Sequence, residues 1–120
     1  MLEPTSILLE RYLDLLAARQ RVAASNIANA DTPGCRAREI DFRYEMQSLL
    51  FHSSSSSPPF LPITVRESEG EAAKNDGNNV NLEREMKVLA ENVLRFTIGS
   101  LLLQKQFRGL RNAIQEGRGI

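Results

Sequence analysis

The chain has no tryptophan, one cysteine and one histidine, and its 120 residues carry no net charge. The single cysteine, Cys35, excludes an intrachain disulfide. Because fifteen basic residues balance fifteen acidic ones, the overall charge favours neither a nucleic acid nor a membrane surface as the partner. No run of about 18 apolar residues is present, so the sequence predicts no membrane-spanning helix. The amphipathic start of the chain also lacks the features of a secretory signal peptide.

Side chains suited to catalysis are equally scarce. His52 precedes a run of five serines, but a nucleophile in such a polar tract lacks the rigid group that would orient it. Cys35 has no second thiol and no histidine near it in the sequence. Neither a cluster with metal-ligand spacing nor a glycine-rich phosphate loop occurs. We therefore expect no enzymatic activity, no cofactor, no metal site and no small-molecule substrate.

The apolar residues that are present follow the period of an α-helix. Residues 7–30 contain neither glycine nor proline, and their apolar positions alternate in steps of four and three, with Gln20 in the one polar position. This is the pattern of a coiled-coil seam. The predicted seam of this first helix comprises Leu9, Leu13, Leu16, Ala23, Ile27 and Ala30.

A second, longer helix is predicted near the end of the chain. Asn79 or Asn81 can cap its start. Lys105, Arg108 and Arg111 complement the negative end of its dipole, an interpretation that we favour over contact with nucleic acid, so no nucleic-acid partner is expected. At 1.5 Å per residue its length is about 50 Å, which predicts an elongated molecule. Its predicted seam comprises Leu82, Met86, Leu89, Val93, Phe96, Ser100, Leu103, Phe107, Leu110 and Ile114.

A further apolar face lies on the opposite side of this helix, at Leu94, Ile98, Leu101 and Leu102. A helix that is apolar nearly all round is normally buried on every side. One partner helix covers one side only, so we expect these four residues, named here the back face, to contact other subunits. The alternative is a globular bundle with a third helix, for which the middle of the chain offers poor candidates.

The middle of the chain is weakly patterned. Residues 44–51 can form a short helix, and a serine and proline tract follows, with a possible short strand at 63–65. We therefore expect a mainly α fold in which the two long helices pair as an antiparallel coiled-coil hairpin. The predicted segments are the N-terminal helix at 1–31, a turn and extended arm at 32–51, a flexible linker at 52–78 and the C-terminal helix at 79–117.

Residues 23–42, AASNIANADTPGCRAREIDF, carry the most specific motif. This stretch resembles the signature of flagellar rod proteins, above all the proximal rod proteins of the FlgB family. Residues 77–96, GNNVNLEREMKVLAENVLRF, and 107–114, FRGLRNAI, resemble the family's C-terminal signatures. Cys35 departs from the pattern, because an aromatic residue usually follows the glycine. The matching positions are Ser25, Asn26, Ile27, Ala28, Asn29, Ala30, Asp31, Thr32, Pro33, Gly34, Ala37, Arg38, Glu39, Ile40, Asp41 and Phe42.

The resemblance implies a structural subunit of the bacterial flagellar basal-body rod. Such proteins are exported by the flagellar type III apparatus without a cleaved signal and assemble in the periplasmic space. The implied partners are the chain itself, other rod proteins, the membrane-ring adaptor protein, the export gate and the rod cap protein. The implied role is to couple the membrane ring and export apparatus to the rest of the rod and to transmit torque.

Individual roles also follow from the resemblance. Asn26 and Asn29 would satisfy hydrogen bonds at the helix end, while Asp31 and Thr32 would close the turn that Pro33 and Gly34 set. The arm, from residue 32 to about 44, would reach adjacent subunits.

Two other functions remain open from the sequence. A soluble helical adaptor or export chaperone would use the same two-helix hairpin. Another flagellar axial protein, such as a second proximal rod subunit or a hook-type protein, shares versions of the motif.

Overall fold

The structure, a computed structural model, describes residues 4–53, 62–70 and 72–118. Helix α1 runs over Pro4–Ala28, strand β1 over Arg38–Glu39 and helix α2 over Phe42–Ser53. Strand β2 occupies Arg66–Glu67, and helix α3 extends over Leu82–Arg118. The two strands pair antiparallel, with Arg38 opposite Glu67 and Glu39 opposite Arg66. No helix within these described ranges is both long enough and apolar enough to cross a membrane.

Helices α1 and α3 pack against each other in opposite directions. Near the start of α1, Leu13 lies against Gly99 of α3, and further along Leu16 accepts a hydrogen bond from the Asn92 side chain. As α1 advances, its partners therefore lie earlier in α3. The molecule measures 72 × 27 × 16 Å. The predicted mainly helical, elongated antiparallel hairpin is confirmed.

The face of α3 that contacts α1 differs from the predicted seam. Six buried or half-buried positions of α3, which we call the inner stripe, each lie one residue before a predicted seam position. One residue corresponds to a rotation of about 100° around a helix. The inner stripe comprises Glu85, Val88, Asn92, Arg95, Gly99 and Gln106.

The seam predicted for α3 is consequently wrong at most positions. Leu89, Ser100 and Leu103 are half-buried, but the other members are at least 37 % exposed. The prediction failed because it assigned the most apolar stripe to the intrachain contact. In the folded chain that stripe is open, and Leu110 and Ile114 lie in a part of α3 where every described side chain from 108 to 117 is exposed. We call the exposed members the apolar stripe: Leu82, Met86, Val93, Phe96, Phe107, Leu110 and Ile114.

The seam predicted for α1 agrees better with the structure. Leu16 and Ala23 are almost fully buried, and Leu9, Leu13 and Ile27 are half-buried. Ala30 is buried too, but it lies beyond the end of α1 and packs with Ala37 and Val80. The absence of a side chain at Gly99 of α3 allows close contact with α1, because a Cβ added there would lie 2.9 Å from Leu13 Cδ2.

The middle of the chain is more ordered than predicted in the part that the structure describes. The short helix expected at 44–51 is present as α2. The strand expected at 63–65 is wrong, because the pairing residues follow it at Arg66–Glu67, where the arm supplies a partner. Most of the serine tract, and with it the proline pair at 58–59, lies outside the described residues.

Candidate functional site

The turn after α1 is closed by local hydrogen bonds. The Asn29 side chain donates to the Ser25 carbonyl at 2.9 Å, and the Thr32 hydroxyl donates to Asn29 Oδ1 at 3.2 Å. Gly34 has a φ of 73°, a left-handed conformation that residues with a Cβ rarely adopt. The chain therefore reverses direction within a few residues of the helix end. The side chain of Asp31 is exposed, as is Pro33.

Asn26, on the last turns of α1, binds the backbone of the arm. Its Nδ2 donates to the Arg38 carbonyl at 2.7 Å, and its Oδ1 accepts from the Arg38 amide at 3.0 Å. Both bonds form in a site where Asn26 is 5 % exposed. An amide side chain paired in this way imitates a neighbouring β-strand, and it ties the arm to α1.

Asn78, in the segment before α3, holds the turn from the other side. Its Nδ2 donates to the carbonyls of Asn29 and Thr32 at 2.8 and 2.9 Å, and its Oδ1 accepts from the Val80 amide. The side chain is 0 % exposed. The same two carbonyls also accept backbone bonds from the amides of Thr32 and Cys35, so Asn78 adds a second donor to each. Asn78 thereby joins two segments that are almost fifty residues apart in sequence.

Further backbone bonds complete this contact between the two segments. The Gly34 amide donates to the Asp76 carbonyl at 2.8 Å, and the Ala37 amide donates to Asn79 Oδ1. Gly77 also has a positive φ, and a Cβ there would lie 3.3 Å from the Gly34 Cα. We name this unit the junction and define it as residues 25–41 together with 74–81.

Charged side chains surround the arm where it passes α3. Glu39 accepts from Arg84 at 2.7 Å and lies 3.4 Å from Arg66, which in turn lies 3.5 Å from Asp41. Asp41 also caps α2, because its Oδ1 accepts from the Tyr44 amide at 3.1 Å. Residues 39–41 of the arm are thus bound to their own chain, and the contact of the arm with adjacent subunits stays a prediction.

Phe42 brings the three helices together. The guanidinium groups of Arg19 and Arg95 lie 4.9 and 4.8 Å from its ring centroid. Both arginines also bind Glu91, at 3.5 Å from Arg19 and 2.9 Å from Arg95. Tyr12 contacts the edge of the same ring. The last residue of the motif therefore anchors the start of α2 between α1 and α3.

Glu85 is a buried carboxyl beneath the arm. Burial raises its pKa above the ordinary value, against the opposing effects of a hydrogen bond from Asn26 and the positive charge of Arg84. Its neighbour Glu39 adds to the rise and Arg19 opposes it. Groups from α1, from the arm and from α3 therefore meet at this carboxyl.

Among the predicted cap residues of α3, the structure selects Asn81. Its Oδ1 accepts from the Arg84 amide at 3.2 Å, whereas Asn79 binds the arm. Sequence reasoning missed Asn78, Asn92, Gly77 and Gly99. For Gly77 and Asn78 the available signal was the asparagine and glycine density just before α3, which was assigned to the linker that ends at residue 78.

The junction has the chemistry of a structural clamp. In the described parts of the chain, no three histidine, cysteine, aspartate or glutamate residues are grouped so that they could hold a metal ion. Cys35 is a free, half-buried thiol whose backbone carbonyl accepts from Asn79. The back face is placed on the exposed side of α3, away from the junction's buried core. This combination of a clamped hairpin and a long helix with open apolar faces defines a subunit of a larger helical assembly.

Comparison with known proteins identifies the assembly. A family model described as flagella basal body rod protein matches residues 13–36. The flagellar basal body rod protein FlgB of Salmonella typhimurium is 32 % identical, over 90 % of this chain and 91 % of the relative. FlgB of Escherichia coli strain K12 has the same identity and coverage, and FlgB of Borrelia hermsii is 28 % identical over 90 % of this chain and 93 % of its own.

The chain belongs to the FlgB family of flagellar basal body rod proteins. It is a structural subunit of the flagellar rod, as the two-ended signature implied.

Proposed function

We propose that neighbouring rod subunits pack against the back face of α3 and that this contact holds the chain in the rod. The single observation that supports the proposal is exposure: Leu94, Ile98, Leu101 and Leu102 are 47–63 % exposed in the isolated chain. Burying the rest of each side chain contributes about 1 kcal/mol per residue. A contiguous apolar surface of this kind is typical of a protein interface.

The proposed neighbours are other rod proteins, the membrane-ring adaptor protein, the flagellar type III export gate and the rod cap protein. In this position the subunit couples the base of the rod to its continuation and transmits torque without any catalysis. Rigidity supports that mechanical role, because the junction fixes α1, the arm and α3 through buried hydrogen bonds. We further propose that the chain reaches the periplasmic space through the type III apparatus, without cleavage of a signal peptide.

Motility separates assembly from folding and export. In a strain that lacks the native rod subunit, the wild-type chain should restore swimming. Leu101→Glu or Ile98→Glu places a charge in the proposed contact, and we expect at least about a tenfold loss of swimming cells. Export into the periplasm should continue, as judged by the amount of periplasmic chain.

Gln104→Glu is the matched control, because it introduces the same carboxylate at another exposed position of α3. This control should swim normally. Normal swimming by the Leu101 and Ile98 variants would refute the proposed contact.

The alternative function as a soluble adaptor or chaperone requires a discrete oligomer of the purified chain. Circular dichroism and sedimentation velocity distinguish the two. A small defined oligomer favours the adaptor, whereas a chain that is folded as a monomer and adds to long assemblies favours the rod subunit.

A further inference from the structure

Helix α3 offers α1 two faces that differ by one residue. The apolar stripe could bury Met86, Val93 and Phe96, whereas the inner stripe offers Glu85, Asn92 and Arg95 at the preceding positions. Hydrophobic burial alone favours the apolar stripe. In the structure α1 occupies the inner stripe, so another interaction must decide the choice.

Asn92 lies at the centre of the inner stripe and is 1 % exposed. Its Nδ2 donates to the Leu16 carbonyl at 3.1 Å and to Gln20 Oε1 at 3.4 Å. Its Oδ1 accepts from Arg19 at 3.3 Å. Each of these three partners belongs to α1, so the bonds form only in one rotation and register of the two helices.

Asn92 also disfavours a contact between α1 and any other face of α3. If α1 turned toward the apolar stripe, Asn92 would lose its three hydrogen-bond partners, and Gln20 and Arg19 would lose their bonds to Asn92. A polar group left unpaired at a helix interface costs about 1–3 kcal/mol. A buried asparagine in a helix pair is known to fix register at the expense of stability.

Gly99 supports the selection sterically. A Cβ at this position would lie 2.9 Å from Leu13 Cδ2 and 3.4 Å from the Tyr12 ring. The inner stripe therefore permits an approach that a larger residue would prevent. Ser100, the corresponding position of the predicted seam, carries a Cβ.

We propose that Asn92 is a positioning residue that directs α1 onto the inner stripe and so reserves the apolar stripe for neighbouring subunits. Val93 and Phe96 stay exposed in the single chain, so the free energy of burying them can stabilise a contact between subunits. This role for the apolar stripe rests on the proposed function as a rod subunit, whereas the choice of face is a property of the single chain.

The accessibility of a reporter thiol tests the choice of face. In full-length Cys35→Ser chains, Val93→Cys reports on the apolar stripe and Leu94→Cys on the back face. With Asn92 present, both thiols should react with a maleimide at similar rates. Adding Asn92→Leu should slow the reaction at position 93 by about tenfold, because α1 turns toward the now continuous apolar surface, while position 94 stays reactive.

Matched variants exclude a general effect of the substitution. Asn112→Leu makes the same change at an exposed position of α3 and should alter neither rate. Asn92→Leu should also melt at an equal or higher temperature by circular dichroism. Unchanged labelling at position 93 would overturn the proposal. Lost helicity with rapid labelling at both positions would overturn it too, because Asn92 would then determine stability and not the choice of face.

Motility distinguishes this proposal from the proposed function. If the wild-type chain fails to restore swimming to the deletion strain, the rod function fails whatever the labelling shows. If the wild type restores swimming, Asn92→Leu should abolish it although the variant is exported and melts no lower. Swimming by Asn92→Leu cells would contradict the reservation of the apolar stripe, with the rod function left intact.

Discussion

The junction buries polar groups that are hydrogen-bonded within the chain, whereas the outer surface of α3 exposes apolar side chains. In the junction, buried polar groups of Asn26 and Asn78 find partners within the same chain. Along α3, large apolar side chains such as Met86 and Leu101 are more than half exposed. The first region is complete in one chain, and under the proposed function the second is completed by neighbouring subunits. A rod subunit needs both, because a rigid shape is useful only if its surface is available to neighbours.

The comparison of the two regions also shows which interactions stabilise the single chain. Few large apolar residues are buried within the described chain, and two of its three largest fully buried side chains are asparagines, Asn78 and Asn92. Hydrogen bonds are directional, so they can define a shape while burying little apolar surface. Apolar surface is less directional and suits repeated contacts between subunits.

The largest expected effect in the junction comes from Asn78→Ala. The variant loses three hydrogen bonds made by a fully buried side chain, so the free energy of unfolding should fall by about 2–4 kcal/mol. Urea unfolding followed by far-UV circular dichroism measures the loss. Asn75→Ala, at an exposed position nearby, should change stability by less than about 0.5 kcal/mol. Equal effects of the two variants would show that the hydrogen bonds of Asn78 do not hold the junction together.

Glycine substitutions should act with opposite signs in the two regions. Gly77→Ala forces an alanine to a φ of 85° and places its Cβ 3.3 Å from a backbone atom of Gly34. The free energy of unfolding should fall by about 1–2 kcal/mol. Gly109→Ala meets nothing within 4 Å on the exposed part of α3, and it should raise helix stability by up to about 1 kcal/mol. Thermal melting of both variants gives the signs, and a stabilising Gly77→Ala would contradict the proposed closeness of the two turns.

These two regions also differ in how far the sequence predicts them. The existence, length and antiparallel pairing of α1 and α3 follow from an uninterrupted helical period. The face of α3 does not follow in the same way, because the helical period indicates only which stripe is most apolar and not whether that stripe faces the chain's own core. In an assembling subunit that stripe faces outward, so the prediction is displaced by one residue, from Asn92 to Val93.

The junction was predictable only in part. The motif around Asn26 indicated a shaped helix end, and the structure supplies the partner that the sequence did not specify, the backbone of Arg38. Asn78 was assigned to a linker because its partners, Asn29 and Thr32, lie 49 and 46 residues away. Local composition carries no information about such a distant contact. The resemblance of residues 77–96 to a second signature was the available hint that this segment has a fixed structure.

A smaller effect is expected where the two regions meet, at Phe42. Phe42→Leu keeps an apolar side chain but removes two cation–π contacts, with Arg19 and Arg95, and should lower the free energy of unfolding by about 1 kcal/mol. Tyr44→Leu, which removes an aromatic ring at an exposed position of the same helix, is the matched control and should have less effect. Urea midpoints of the two variants test this prediction. Equal midpoints would show that the contacts of Arg19 and Arg95 with the Phe42 ring do not stabilise the fold.

The smallest effect should come from pH, through Glu85. Burial raises the pKa of this carboxyl above its ordinary value of 4.5, so above that pH the folded chain binds more protons than the unfolded chain. Its contribution to stability is therefore largest in acid and is lost as the pH rises through the raised pKa. Glu85→Gln keeps the size and a hydrogen-bonding side chain but cannot ionise, so the variant should gain stability relative to the wild type as the pH increases. Glu83→Gln, on the exposed side of the same turn, should not show this trend. Urea midpoints measured from pH 4 to pH 8 test the sign of this pH dependence. A Glu85→Gln variant that loses stability relative to the wild type as the pH rises would contradict it. That result would mean that Asn26 and Arg84 stabilise the ionised carboxylate more than burial destabilises it.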